Sequence, residues 1–564
     1  MNFSACWGCS NRSVARRTSR NKVLRTCFMT TAAVSAVLLV SPSAHAFEFN
    51  TGSEDLKARW DNTVKYSAAW RLKNPSSTLT ADVNQDDGNR SFRRGLISNR
   101  LDLLSEFDLL YKDVGFRASA AAWYDDVYNH SNDNDSPFTV NALSVGPRHF
   151  TKATEKLHGR KAELLDFFVF GKKELGDMLV TGRLGKHTLL YGESLFFGGN
   201  GIAVAQAPID IVKALSVPNT QFKELMMPVQ QMSGQLQITP RLSFGAYYQF
   251  RWEKDRLPGV GSYFSGADVL GAGAERFHLG IPMPYLLREH SMNARNSGQG
   301  GMQLRYRAES HDAEYGFYAV KYHHKDPILY MKFGPFLPSG QMGTYSLVYP
   351  EDIKAVGASA TTNLGEWNLG AEASFRSNMP LVPRAGGIAV GPGADNHHNP
   401  AYPVGKTFHA QASLIALLHP TALWEGGTFL GEIAYNRRMS ITRNAAALDP
   451  NVTRDAMALR FIFAPSYYQV IDGVDVSIPI GLGYGIFGRS SMINPGFSVH
   501  KGGDLSIGVS ADYRKAWKFG LNFTHYFGKA DNFLTPANSP APVESYKQNY
   551  KDRDFISFTL QTTF

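Results

Sequence analysis

The sequence predicts an all-β fold: a transmembrane antiparallel β-barrel of about 18 strands (roughly 16–18), with a partly helical loop insertion that folds into the lumen. Three observations predict it. Apolar and polar residues alternate with period 2 along much of the chain, short and long connections take turns between the alternating stretches, and the N-terminus has the pattern of an export signal.

The alternation is clearest in three places. Trp60, Val64, Tyr66, Ala68, Trp70 and Leu72 alternate with Arg59, Asp61, Thr63, Lys65, Ser67, Ala69 and Arg71. Leu101, Leu103, Phe107, Leu109 and Tyr111 alternate with Arg100, Asp102, Glu106 and Asp108, and Trp517–Phe527 repeats the pattern. Successive strand side chains point to opposite faces, so each stretch has one face fit for lipid and one fit for water. Trp and Tyr at strand ends match the aromatic girdles of an outer-membrane barrel. Short turns fall at 111–115, 239–241, 363–366 and 513–517. Long Gly/Pro/Asn-rich connections fall at about 73–97, 129–159, 191–231, 254–299, 325–352, 378–404 and 529–554. Short turns on one side and long loops on the other require an even strand number.

The last stretch, "FISFTLQTTF", puts Ile556, Phe558, Leu560 and Phe564 on one face. A backbone in hydrocarbon leaves no N–H or C=O unpaired, so this strand is expected to zip to the first and close the sheet. Its apolar face and terminal aromatic read as the C-terminal signal taken up by the barrel-assembly machinery.

Residues 1–46 read as a secretory signal peptide. Arg12, Arg16, Arg17, Arg20, Lys22 and Arg25 precede an apolar run from Phe28 to Val40, and Ala44-His45-Ala46 offers a small-x-small cleavage site. All three cysteines, Cys6, Cys9 and Cys27, lie in this segment, so residues 47–564 hold neither a disulfide nor a thiolate metal site. Six of the basic residues behind the net charge of +9 lie there too, with no acidic residue among them. The remaining charge does not call for nucleic acid. Residues 47–564 are expected to form a single barrel domain, with long external loops at 254–299, 325–352 and 378–404.

Residues 191–231 break the alternation. Pro208 sits where a first helical position is expected, and Ile209, Val212 and Leu215 recur at helical spacing before Pro218. Folded inward, such a segment narrows the lumen of a wide barrel; capping the mouth from outside is the alternative.

"GRLGKHTLLYGES" (182–194), "APIDIVKAL", "KELMMPVQQM" and the opening "FEFNTGSEDLKARWDNTVKYSAAWRL" (47–72) resemble the proteobacterial family catalogued as domain of unknown function 1302. The resemblance implies a barrel in the outer membrane of a Gram-negative cell. It also implies company with a periplasmic lipoprotein, with an inner-membrane exporter of the resistance-nodulation-division type, and with the degradation of hydrophobic compounds. It implies no catalytic residue.

By alternation Arg71, Arg100, Arg117, Arg183, Arg251, Arg305 and Arg307 line the lumen, with Arg376, Arg438 and Arg460. Asp102, Glu106, Asp108, Glu309, Glu372, Glu432, Asp504 and Asp512 join them. With Phe196, Phe197, Ile209 and Leu215 of the insertion they form the candidate pathway. Mixed charge favours a salt-bridge lattice in the wall over a free arginine ladder. "DVNQDDGNR" (82–90) departs from a calcium loop in its Gly and in Arg93, and reads as a polar turn. His323-His324 and His397-His398 read as loop histidines, because neighbours on a strand face opposite ways. "GGNG" (198–201) reads as a flexible hinge. No nucleophile elbow, phosphate loop, zinc helix or dinucleotide fingerprint is present, so no cofactor or metal is assigned. The reading is a non-catalytic channel for small hydrophobic or amphipathic solutes, with outer-membrane lipid around it. A general or arginine-guided porin, or a docking component of an export assembly, are the alternatives.

Overall fold

The structure is a computed structural model that describes residues 47–280, 284–309 and 312–564. The expected signal peptide lies outside the described residues. Eighteen strands form one closed antiparallel wall. In order they are β1 (Leu56–Arg71), β2 (Gly95–Tyr111), β3 (Val114–Asp125), β4 (Arg160–Leu175), β5 (Met178–His187) and β6 (Val229–Thr239). There follow β7 (Leu242–Gln249), β8 (Gln299–Arg307), β9 (Ala313–Tyr322), β10 (Ile353–Leu364), β11 (Trp367–Pro380) and β12 (Val404–Leu417). The last six are β13 (Gly426–Arg443), β14 (Asp455–Ile471), β15 (Val474–Ser477 continuing as Ile480–Gly488), β16 (Gly503–Tyr513), β17 (Trp517–Phe527) and β18 (Phe555–Thr563).

Each strand pairs with its sequence neighbours, and β18 pairs with β1 from Thr63↔Thr563 to Arg71↔Phe555. The Thr63 and Thr563 hydroxyls meet at 2.8 Å on that seam. Below it the short strand Phe47–Phe49 pairs along Ala58–Trp60 of β1. Pro479 cannot donate, yet the ladder continues through it. Ile478 N–H reaches Pro465 O at 3.0 Å, and Pro479 O accepts from Gly508 N–H at 2.9 Å.

The wall keeps the alternation. Leu101, Leu103, Val169, Leu184, Met232, Phe317, Val509 and Leu521 are exposed on its outer face. Trp70, Tyr124, Tyr248 and Phe487 ring the long-loop end, while Tyr111, Tyr306, Trp367, Tyr468 and Tyr513 ring the short-turn end. Short turns need left-handed backbone, which Gly176 (φ 63°) and Gly365 (φ 62°) supply. A pocket of about 750 Å³ dents the lipid side. There Gly171, Gly182, Gly234 and Ala246 stand side by side in register, and the pocket has no part in the lumen.

The long loops are more structured than the sequence suggests. Residues 327–340 supply the first strand, Ile328–Phe333, and the turn of a hairpin whose second strand is Gln341–Val348. The hairpin belongs to a five-stranded sheet completed by Gly387–Ala389, Tyr285–Arg288 and Arg276–His278. Residues 250–298 are not simply external. Tyr263 and Phe264 pack with Phe92, Ile97, Tyr526 and Phe555, on the seam side of the barrel opposite their own root between β7 and β8.

The lipid face gives a direct test of this inside-out assignment. Leu521→Arg on the outer face of β17 is expected to cost about 2–4 kcal/mol in unfolding from lipid vesicles, the midplane cost of a basic residue. Thr559→Arg, on the inner face of β18, is expected to cost far less.

Candidate functional site: a segment held across the lumen

Between β5 and β6 the chain leaves the wall for residues 188–228 and packs against inward-facing side chains. The helix expected before Pro218 is shorter than the sequence indicates, and short helical turns at Ile202–Ala205 and Phe222–Leu225 flank it. It spans Ile211–Ser216, with Asp210 as N-cap accepting from Lys213 N–H at 3.0 Å. Pro208 therefore precedes the helix instead of opening it, because Asp210 supplies the cap that the first turn needs.

Two wall carboxylates take the segment's amides. Glu432 on β13 accepts from Leu195 N–H (3.1 Å), Phe196 N–H (2.6 Å) and Phe197 N–H (2.8 Å). Glu372 on β11 accepts from Glu193 N–H (2.8 Å) and Ile202 N–H (2.6 Å). Four residues further along β11, on the same face, Arg376 donates to the carbonyls of Gly199, Asn200 and Gly201. Asn200 also donates to Gln411 and faces His409 Nδ1 at 3.0 Å. "GGNG" is thus clamped, not a hinge. Gly201 has room for no side chain, since a Cβ there would stand 2.1 Å from Ser194 Oγ.

Apolar contacts complete the crossing. Tyr191, Ile202 and Ala205 pack on inward Tyr247, Tyr318, Val320, Tyr322, Ile353 and Ala355. Phe197 packs on Ala434, Ala458 and Phe497. Farther on, Ile209 N–H reaches Asp255 at 2.7 Å, and Lys325 Nζ reaches Val204 O at 2.9 Å. Burial pushes the Asp255 carboxyl up to about 6 and the Lys325 ammonium down to about 8. Burial also holds His324 down, to about 4, so it stays neutral beside them. Asn219 reaches the far wall, where Ser506 of β16 donates to its Oδ1 at 2.9 Å.

The predicted pathway residues divide. Arg71 is fully buried against Asn89 O, Phe92 O and Asp552, fastening loops and not facing open lumen. Arg117 bonds Glu106 and Asp108, and Arg305 bonds Glu193 (3.0 Å) and Glu314. Arg100 pairs with Asp102 at 2.6 Å and lies over Trp123. Arg460 pairs with Asp504 at 2.6 Å. Arg307 pairs with Asp312 at the short-turn rim. Arg251 and Glu309 are corrections. Arg251 follows the end of β7 and pairs with Glu253 in the loop, while Glu309 lies in the turn after β8 and pairs with Arg241. Arg183 is exposed on the inner face of β5 over Phe168, with no ion pair among the described residues. Phe197 is buried, Phe196 and Ile209 half-buried, and Leu215 packs on the Phe92–Tyr263 cluster. The inward Tyr247, Tyr318 and Tyr322 escaped the sequence reading, because an aromatic on a barrel strand reads as lipid-facing.

A cylinder of this kind, greasy outside and polar within, crossed by its own chain, defines a membrane-spanning β-barrel with an internal obstruction. The family model described as "Protein of unknown function (DUF1302)" matches residues 27–564, and the chain belongs to that family. No curated protein matches it. Solved structures of similar fold include Acinetobacter baumannii OccAB2, at 8% identity and TM-score 0.40 over 90% of this chain and 98% of that one. The BenF-like porin from Pseudomonas fluorescens Pf-5 aligns at 10% identity and TM-score 0.38, covering 91% and 98%. Pseudomonas aeruginosa OpdK with vanillate aligns at 10% and 0.38, covering 90% and 98%. These likenesses concern the fold alone.

Glu432→Ala would leave three N–H groups without their acceptor, that of Phe197 buried and those of Leu195 and Phe196 half-buried, at about 1–3 kcal/mol for each buried group that finds none. Hydrogen exchange of the amides of residues 195–197 is expected to accelerate at least about tenfold, a change worth about 1.4 kcal/mol, while wall amides stay protected.

Proposed function

We propose that this protein is an outer-membrane channel whose conducting path is narrowed by residues 191–226, and that it passes small hydrophobic or amphipathic solutes without chemistry. The observation that carries the reading is the set of contacts from Glu372, Arg376 and Glu432 to the backbone of residues 193–202. A barrel of 18 strands is wide enough for an open aqueous pore, so a chain segment fixed inside it sets what passes.

Two features support an apolar solute. Phe138, Leu143, Leu279, Phe333, Phe336 and Leu337 are exposed on the loops at the long-loop end, where they offer an apolar landing surface. Most lumen arginines are paired with wall carboxylates, which removes the free positive ladder that guidance of carboxylated solutes needs. Arg183, exposed and without a carboxylate partner among the described residues, is what favours a second reading, a pore for polar anions.

Replacing residues 193–225 with a short Gly/Ser link separates these outcomes. In planar bilayers single-channel conductance is expected to rise several-fold, and vesicles are expected to stop distinguishing an apolar ester from a sugar of equal size. Unchanged conductance would show that the segment does not limit the path. Reduced anion passage in Arg183→Gln, with ester passage intact, would favour the polar reading.

A further inference from the structure

The stretch at 82–90, which reads as a polar turn, has its acidic residues buried. Asp82, Asp86 and Asp87 are buried, at 6%, 0% and 3% exposure. Gly88 explains how. A Cβ on it would stand 2.6 Å from Ser262 O and 2.7 Å from Ser265 O, so only glycine lets this segment lie against residues 262–265. That approach brings in Asp268, fully buried, whose Oδ2 accepts from Asp87 N–H at 3.0 Å. One oxygen from each of Asp86, Asp87 and Asp268 lies within 4.8 Å of the others.

The cluster is not satisfied from within. Asp268 Oδ1 and Asp86 Oδ1 are buried and have no hydrogen-bond partner. The same holds for the amide oxygen of Asn141, a fully buried residue whose own N–H donates to Asp87 Oδ2 at 2.9 Å. Among the described residues, the nearby cation that touches a carboxylate of the cluster is Arg90, on Asp86. Arg276 is engaged with Val140 O, and Arg553 with the carbonyls of Tyr263 and Ser265. Arg276 and Arg553 therefore act on Asp87 and Asp268 only through space, and two of the three carboxylates have no ion pair of their own among the described residues. Burial, then the Asp86 charge, push the Asp87 carboxyl up to about 8, and burial, then Asp87, push Asp268 well above the usual range. Such a group is costly to leave buried and charged.

We propose that Asp86, Asp87 and Asp268 bind one calcium ion, which ties loops 72–94 and 250–298 to each other and, through Asn134 and Asn141 on Asp87, to loop 126–159. The donors are all oxygens, the preference of a hard cation; no histidine or thiolate stands in the cluster to select zinc. Asp86 and Asp268 are too far apart in sequence for any single-loop motif. The other group of this kind, Glu351, Asp352 and His397, is already answered by Arg295 and Lys321 and carries no such proposal.

The test uses the folded full-length barrel in detergent, stripped with EGTA, and titrated with calcium chloride by calorimetry while its melting is followed. One calcium per chain with a Kd of about 1 mM or tighter is expected, together with a higher melting temperature. In Asp268→Asn the affinity is expected to fall at least about tenfold, while the strand signature in circular dichroism is retained. Without calcium this variant is expected to melt no lower than the parent, since it removes an unpaired buried charge. No heat and no melting shift up to about 10 mM calcium would overturn the proposal. So would an Asp268→Asn protein that responds like the parent, or binding of zinc in place of calcium. Should that variant fail to fold, the parent titration alone decides.

Discussion

A peptide group in hydrocarbon has no water to bond, so every N–H and C=O that crosses the membrane must find another strand. The rest of this molecule depends on that constraint. It brings β18 to β1 through nine paired positions, Thr63↔Thr563 to Arg71↔Phe555, and keeps the ladder intact even past Pro479. It also requires the period-2 pattern, because a closed sheet with lipid outside and water inside sorts its side chains by parity.

The same rule reaches the lumen in another form. A segment drawn into the barrel carries its own amides and carbonyls away from bulk water, and they need partners there. This protein supplies charged ones. Carboxylates on β11 and β13 accept from N–H groups, and a guanidinium four residues along β11 donates to carbonyls. Charge-assisted bonds of this kind are stronger than neutral ones, and each acceptor serves two or three donors. The geometry turns a glycine-rich stretch, flexible by composition, into a fixed crossing. Loop 250–298 obeys the same logic from the other side, with Arg553 of the last loop bonded to the carbonyls of Tyr263 and Ser265.

What the sequence revealed and what it hid follow from distance along the chain. Parity and turn chemistry are local, so the turns at 112–113, 240–241, 365–366 and 514–516 and seven of the nine long connections are legible from composition, while the shorter ones at 444–454 and 489–502 are not. The inward facing of Glu372, Glu432 and Arg305 is legible for the same reason. Their roles are not, since Glu432 meets Phe196 from 236 residues away and Glu372 meets Glu193 from 179. Arg251 failed because parity was extended past the end of β7 at Gln249, where the rule no longer holds. The inward tyrosines of β7 and β9 failed because the insertion gives them an apolar partner inside, which no strand pattern can announce. Asp86 and Asp87 read only as part of a polar turn because Ser262, Ser265 and Asp268, which enclose them, lie far along the chain.

The central claim is that residues 191–226 span the lumen in the assembled protein. Asn219 and Ser506, whose side chains meet at 2.9 Å, mark the far end of that span. With Cys6, Cys9 and Cys27 replaced by serine, Asn219→Cys combined with Ser506→Cys should join in a disulfide on mild oxidation of intact membranes. The account predicts near-complete cross-linking that survives in detergent. Two free thiols, both open to a bulky maleimide added from outside, would place the segment elsewhere and contradict it.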